Sequence, residues 1–300
     1  MTTDSPDADL EPSSGGGTVT AEAVPTVGIN HLQLAVLTVL FGGLLAAGAH
    51  LSNLALLVAI AVLQAVLIPC WVLGSGLPGR IGALMLGTLA AGGADAACSY
   101  WHDSGYSPVL GVLGVAIPLM FAHQLSRGVV RTRVVESLSG ITLLLIAVTA
   151  LAGLIVLRRQ GNGDTVTLAL VAASAAGLVA GHLTDAVLPA PRFDPSIDRG
   201  LPAILVGVVV GAAVGLLTLR NDIDFAGGRA AFVGAAMAAV AGLLSIGATF
   251  AEARTAAPED SVELPPVAPR LARLRPAAAV TITLALTAPA AYVLANALTS

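Results

Sequence analysis

Apolar residues run along this chain in blocks of roughly 20, the length at which an α-helix crosses the hydrocarbon core of a bilayer. Short polar stretches separate them. The pattern predicts nine spanning helices, near 31–49, 51–73, 81–101, 108–125, 137–157, 166–188, 201–219, 230–251 and 277–298. The expected fold is all-α, a polytopic integral membrane helix bundle over residues 30–300. Only His50 and Leu51 separate the first two blocks, so these should form a tight hairpin or lie partly in the interface. Pro118 and Pro289 fall inside the fourth and ninth blocks, where each removes an intrahelical hydrogen bond and kinks its helix. Gly207, Gly211 and Gly215 recur every four residues in the seventh, a smooth stripe for close helix packing. No internal repeat is visible.

Residues 1–29 lack this periodicity. They are acidic, rich in Ser, Gly, Pro and Thr, and contain three consecutive glycines at 15–17, the signature of a disordered tail. Such a tail is a candidate surface for a protein partner. No basic stretch precedes the first apolar block, so a cleaved signal peptide is not expected.

Composition reinforces the membrane assignment. Hydrophobic residues make up 56% of the 300 and charged residues 11%, with a mean hydropathy of +0.88, outside the range of soluble domains. The formal charge of -4 does not point to nucleic acid, because Asp4, Asp7, Asp9, Glu11 and Glu22 carry the acid in the tail and the remainder is +1. All 14 basic residues are arginine. With abundant Ala, Gly, Val and Leu, that bias is expected of a high-GC genome, such as an actinobacterium's. Cys70 and Cys98 lie inside apolar blocks without CxxC spacing, which suggests packing thiols and neither a disulfide framework nor a zinc site.

Arginine placement predicts orientation. With alternating loops, the side shared with the N-terminal tail holds ten arginines, from Arg80 to Arg275, and the other holds Arg158, Arg159, Arg220 and Arg229. Cytoplasmic loops carry the basic excess, so the tail is expected in the cytoplasm and the C-terminus outside a plasma membrane. Arg127, Arg131 and Arg133 with Glu136, and Arg270, Arg273 and Arg275 before the last block, fit either anionic lipid headgroups or a plain topological role.

Site chemistry is concentrated between Thr165 and Gly200. The apolar block there ends in His182, Thr184 and Asp185, and an ionisable group at membrane depth costs about 3 kcal/mol unless it faces protein or water. The following loop supplies Arg192, Asp194, Asp198 and Arg199 between Pro191, Pro195 and Pro202. His182 and Asp185 share one helix face at i, i+3. They could form a metal pair, a proton acceptor with its orienter, or a helix end already solvated among headgroups. Asp95 could pair with His123 on the next span as a proton or ion relay, or sit in a wet recess near an aromatic belt of Tyr100, Trp101 and Tyr106. No P-loop, GxSxG, HExxH or GxGxxG is present, so the chemistries tied to them have no support.

From about Ser137 to the end, the order of features resembles the phosphatidate cytidylyltransferases, polytopic enzymes that make CDP-diacylglycerol from CTP and phosphatidic acid. In that family a span carries Asp, then Ala-Tyr and Gly-Arg or Gly-Lys, before a Pro-Arg-Ile-Ser-Pro-Lys-Lys-Thr-x-Glu-Gly loop. Placing Gly181 on the family's glycine puts His182 in the basic slot, Leu178 in the Tyr slot and Ser174 in the Asp slot. The loop keeps Pro191, Arg192, Pro195 and Gly200 but has lost both lysines and the threonine. The family's Gly-Asp-x-x-Glu-Ser is matched by Gly247 through Glu252 with alanine in the Asp slot. Its Lys-Asp-Ser-Gly signature is matched by Glu259, Asp260, Ser261 and Val262, with Arg273 or Arg275 near the later Asp-Arg, and its closing Ala-Ala-Pro-x-x-Tyr by the segment ending at Tyr292.

The resemblance implies a lipid-headgroup site covered by loops 189–200 and 252–276, with Arg192, Arg199, Arg273 and Arg275 as phosphate-binding candidates and membrane lipid as partner. Nucleotidyl transfer needs divalent metal on carboxylates, and of the family's acidic ligand slots only Asp260 holds an acid. The expectation is therefore a divergent or catalytically inactive relative, the latter a pseudoenzyme. An active one would use Asp185 or Asp260 and hold magnesium through Asp194, Asp198, Glu252 or Asp260. Two other classes stand beside it: a permease using Asp95, His123, His182 and Asp185 in one shared cavity, and a structural membrane subunit presenting its acidic tail.

Overall fold

A computed structural model describes residues 30–101, 105–127, 133–192, 199–221, 225, 227–256 and 269–299. The tail and the 257–268 segment lie outside these residues, as do the side chains of 250–256, 269, 298 and 299. The helices are α1 His31–Leu51, α2 Asn53–Gly74, α3 Arg80–Tyr100, α4 Ser107–Ser126, α5 Val134–Arg158, α6 Gly163–Val187, α7 Leu201–Leu219, α8 Gly228–Ala256, the short α9 Pro269–Ala272 and α10 Arg275–Thr299. Nine segments among the described residues are long and apolar enough to cross a membrane, the last running through α9 and α10. The fold is an all-α membrane-type bundle.

Turn chemistry explains the hairpin that joins the first two spans. Ser52 alone separates α1 from α2, and its hydroxyl accepts from Ala55 N at 3.0 Å, satisfying a donor that the first turn of α2 would otherwise leave open. Gly48 lets the helices meet, since a methyl group there would lie 2.9 Å from both Ala55 O and Leu56 Cα. Both helices are of spanning length.

Burial tracks composition. The α5 helix is apolar on every side, as a fully enclosed helix must be, and buries Ile141, Leu144, Leu145, Val148, Leu151 and Ile155. It packs against α2, α3, α4, α6 and α10. On its other flank α6 packs against α1, α7 and α8, with α10 filling the space between α5 and α8. The outer helices α4 and α7 leave apolar faces uncovered, among them Val115, Phe121, Val209 and Leu217, which suits a surface facing lipid tails.

Contacts sort the helix ends into two groups. At one, Arg158 Nε donates to Ala49 O at 2.7 Å, Arg159 Nη1 to Cys98 O at 2.6 Å, and Tyr106 stacks on Tyr292. These arginines meet carbonyls that α1 and α3 leave open at their C-terminal ends. At the other, Trp71 Nε1 donates to Gly140 O at 2.9 Å, Arg275 Nε to Gly74 O at 3.2 Å, and His31 lies beside His182. The loop after α6 lies at this second, arginine-rich end.

Candidate functional site

Four helices converge where α6 ends. Helical spacing turns Gly181, His182 and Asp185 inward, while Leu183 and Val187 face outward. The chain then reverses: Leu201 N donates to Pro191 O at 3.1 Å and Arg192 bridges to Gly200. Pro202 sits in the first turn of α7, where its missing N–H costs nothing. This return drives Arg199 back between α6 and α8.

Arg199 is 2% exposed, the largest fully buried side chain described. Its Nη2 lies 3.1 and 3.0 Å from the two ring nitrogens of His182 and donates to Ser245 Oγ of α8 at 2.5 Å. Its Nη1 stands 3.6 Å from Asp185 Oδ2, and Asp185 Oδ1 accepts from Gly200 N at 2.9 Å. Gly181 makes room, since a methyl group there would sit 3.3 Å from Ala203 O and 3.6 Å from Arg199 Nη1. His31 of α1 closes the cluster, its ring 5.9 Å from that of His182. Burial pulls the Arg199 pKa below its ordinary value, and the neighbouring Asp185 carboxylate opposes this. A buried guanidinium this close to a carboxylate holds elements together more readily than it meets a ligand.

The carboxylate that sequence placed at the helix end is thus engaged on both oxygens. His182 and Asp185 are 3% and 2% exposed, so the reading of a solvated helix end is corrected: both are buried, with Arg199 and Gly200 against them. The metal pair is corrected too, because the group facing His182 and Asp185 is a cation. Among the described residues no three His, Cys, Asp or Glu side chains come together, so these residues do not fit magnesium. Asp194, Asp198 and Asp260 lie outside the described residues, as does the side chain of Glu252.

The other candidates are scattered. Arg199, expected to meet phosphate, points into protein instead. Arg192, Arg273 and Arg275 are exposed, and Arg275 also donates to Gly74 O. Asp95 and His123 do not meet. His123 packs on Gly82, which puts it roughly 20 Å along α3 from Asp95 at 1.5 Å per residue. Asp95 instead accepts from Gln64 Nε2 at 3.0 Å, which also donates to Val148 O at 3.0 Å. Tyr106 packs between Gly153 and Tyr292, and burial pushes its hydroxyl pKa above the ordinary value.

Sequence reasoning passed over Gln64 and Ser245. A lone Gln among apolar residues was the signal for the first; a single serine in an apolar span carries little signal at all. Gln64→Leu is expected to lower stability by about 2 kcal/mol, since it strips a donor from two acceptors inside the bundle. Thermal melting in detergent checks this, and a variant as stable as the parent would show that the contact anchors nothing.

Comparison with family models, curated proteins and solved structures finds no match to this chain.

Proposed function

We propose that this chain is a non-catalytic membrane protein, a divergent relative of the phosphatidate cytidylyltransferases, that engages anionic lipid headgroups at its arginine-rich, cytoplasmic end. The observation that carries the reading is the inward-turned Arg199. Arg199 is neutralised by Asp185 and enclosed by His182 and Ser245, so this arginine of the segment aligned with the family's substrate loop joins helices instead of facing a substrate. Arg192 and Arg273 stay exposed at the same end, the position from which juxtamembrane arginines meet headgroups. A permease would need Asp95, His123, His182 and Asp185 around one cavity, whereas Asp95 and His123 stand apart and His182 and Asp185 close on Arg199.

Purified protein incubated with CTP, phosphatidic acid and magnesium is expected to form no CDP-diacylglycerol. Turnover that disappears in an Asp260→Ala variant would overturn the non-catalytic reading and establish a working cytidylyltransferase.

A further inference from the structure

The chain between α2 and α3 reads Gly76, Leu77, Pro78, Gly79, Arg80, Ile81, Gly82, and with His123 of α4 it lines an open recess of about 540 Å³. The loop is anchored from beneath. Leu77 is buried against Gly140, and Ser137 Oγ donates to Pro78 O at 3.4 Å. Gln124 ties the same corner together, donating to Ser137 Oγ at 2.5 Å and accepting from Arg127 Nη1 at 3.0 Å. These contacts fix the loop without using Arg80 or His123.

His123 Nε2 is buried and has no hydrogen-bond partner among the described residues, an expensive state for a ring nitrogen. Arg80 lines the recess and is exposed. A methyl group on Gly79 would lie 3.2 Å from His123 Nε2 and 3.3 Å from Arg127 Nε, so a histidine and a second arginine border the same small space. Gly79 has φ +76°, which favours glycine and keeps that space clear. No side chain caps α3, so its first-turn N–H groups add to the positive potential. Among the described residues no carboxylate lines the recess.

We propose that this recess binds a phosphate group, with Arg80 and Arg127 offsetting its charge and His123 Nε2–H donating to one oxygen. The natural source at this end is a phosphate-bearing lipid headgroup; free phosphate carries the same chemistry. The lipid assignment rests on the reading that the arginine-rich end meets headgroups.

The test titrates the full chain in detergent by calorimetry with dioctanoyl phosphatidic acid, dioctanoyl phosphatidylcholine and inorganic phosphate. Saturable binding of the phosphatidic acid is expected, with none for the phosphatidylcholine. Affinity should fall at least tenfold in His123→Ala and in Arg80→Gln, the latter at an exposed position where folding is not at stake. Inorganic phosphate that binds as well, and is lost in the same variants, supports the site and names free phosphate as its source. Phosphatidic acid binding that both variants retain, but that Arg192→Gln with Arg273→Gln removes, overturns the recess and leaves the headgroup reading standing. No binding of phosphatidic acid or inorganic phosphate by the parent chain overturns both.

Discussion

Asp185→Ala is expected to destabilise the bundle by about 3–5 kcal/mol, the cost of stranding one partner of a buried ion pair. The stranded partner is Arg199, 2% exposed. Asp185 also receives Gly200 N at 2.9 Å, so the same substitution frees the residue that leads into α7. Asp185→Asn keeps an acceptor for Gly200 and should lose less. Removing both charges together, as in Asp185→Leu with Arg199→Met, should recover most of the loss, because a buried pair replaced by apolar groups of similar size is often neutral. Denaturation in detergent for the single and double variants forms a cycle. A double variant that loses the sum of the two singles would show that the pair is not coupled.

That cycle also marks where sequence reading stops. Spans were legible because blocks of about 20 apolar residues have one physical reading, and the structure begins and ends them within a few residues of the pattern. The shared face of His182 and Asp185 was legible as well, since i, i+3 spacing fixes it; that this face turns into the bundle was not. Nor was their partner. Arg199 sits in a proline-rich loop with charges of both signs, a composition that reads as solvated. Only the return of Leu201 N to Pro191 O turns it into the bundle. Asp95 shows the same gap, since membrane depth says that an acid needs a partner but does not say which helix supplies it. The answer, Gln64 of α2, depends on how α2, α3 and α5 are arranged around one another.

Gly211→Leu is expected to cost about 3 kcal/mol or to prevent assembly, because overpacking a closed contact forces backbone apart. The sequence showed the stripe of Gly207, Gly211 and Gly215, and the structure shows what it faces. A methyl group on Gly211 would meet Gly234 O at 2.6 Å and run into Ala238, and one on Gly207 would lie 2.8 Å from Gly177 O. The opposing atoms at Gly177 and Gly234 are backbone, which cannot swing aside as a side chain can. Two glycines facing one another let α7 approach α6 and α8 at backbone distance, the arrangement that holds helices together where lipid supplies no hydrophobic drive. Gly242→Leu on α8 is the control, since a methyl group there meets nothing within 4 Å; its melting temperature should stay close to the parent's. The effect reaches the polar cluster, because α7 begins two residues after Arg199 and Ala203 O lies against Gly181. Pushing α7 outward draws Arg199 away from Asp185. Gly211→Leu should therefore shrink the coupling energy measured between those two residues, as well as lower the melting temperature. A Gly211→Leu protein that melts with the control and keeps full coupling would mean that the α7 seam is slack and that the arginine is held by the loop alone.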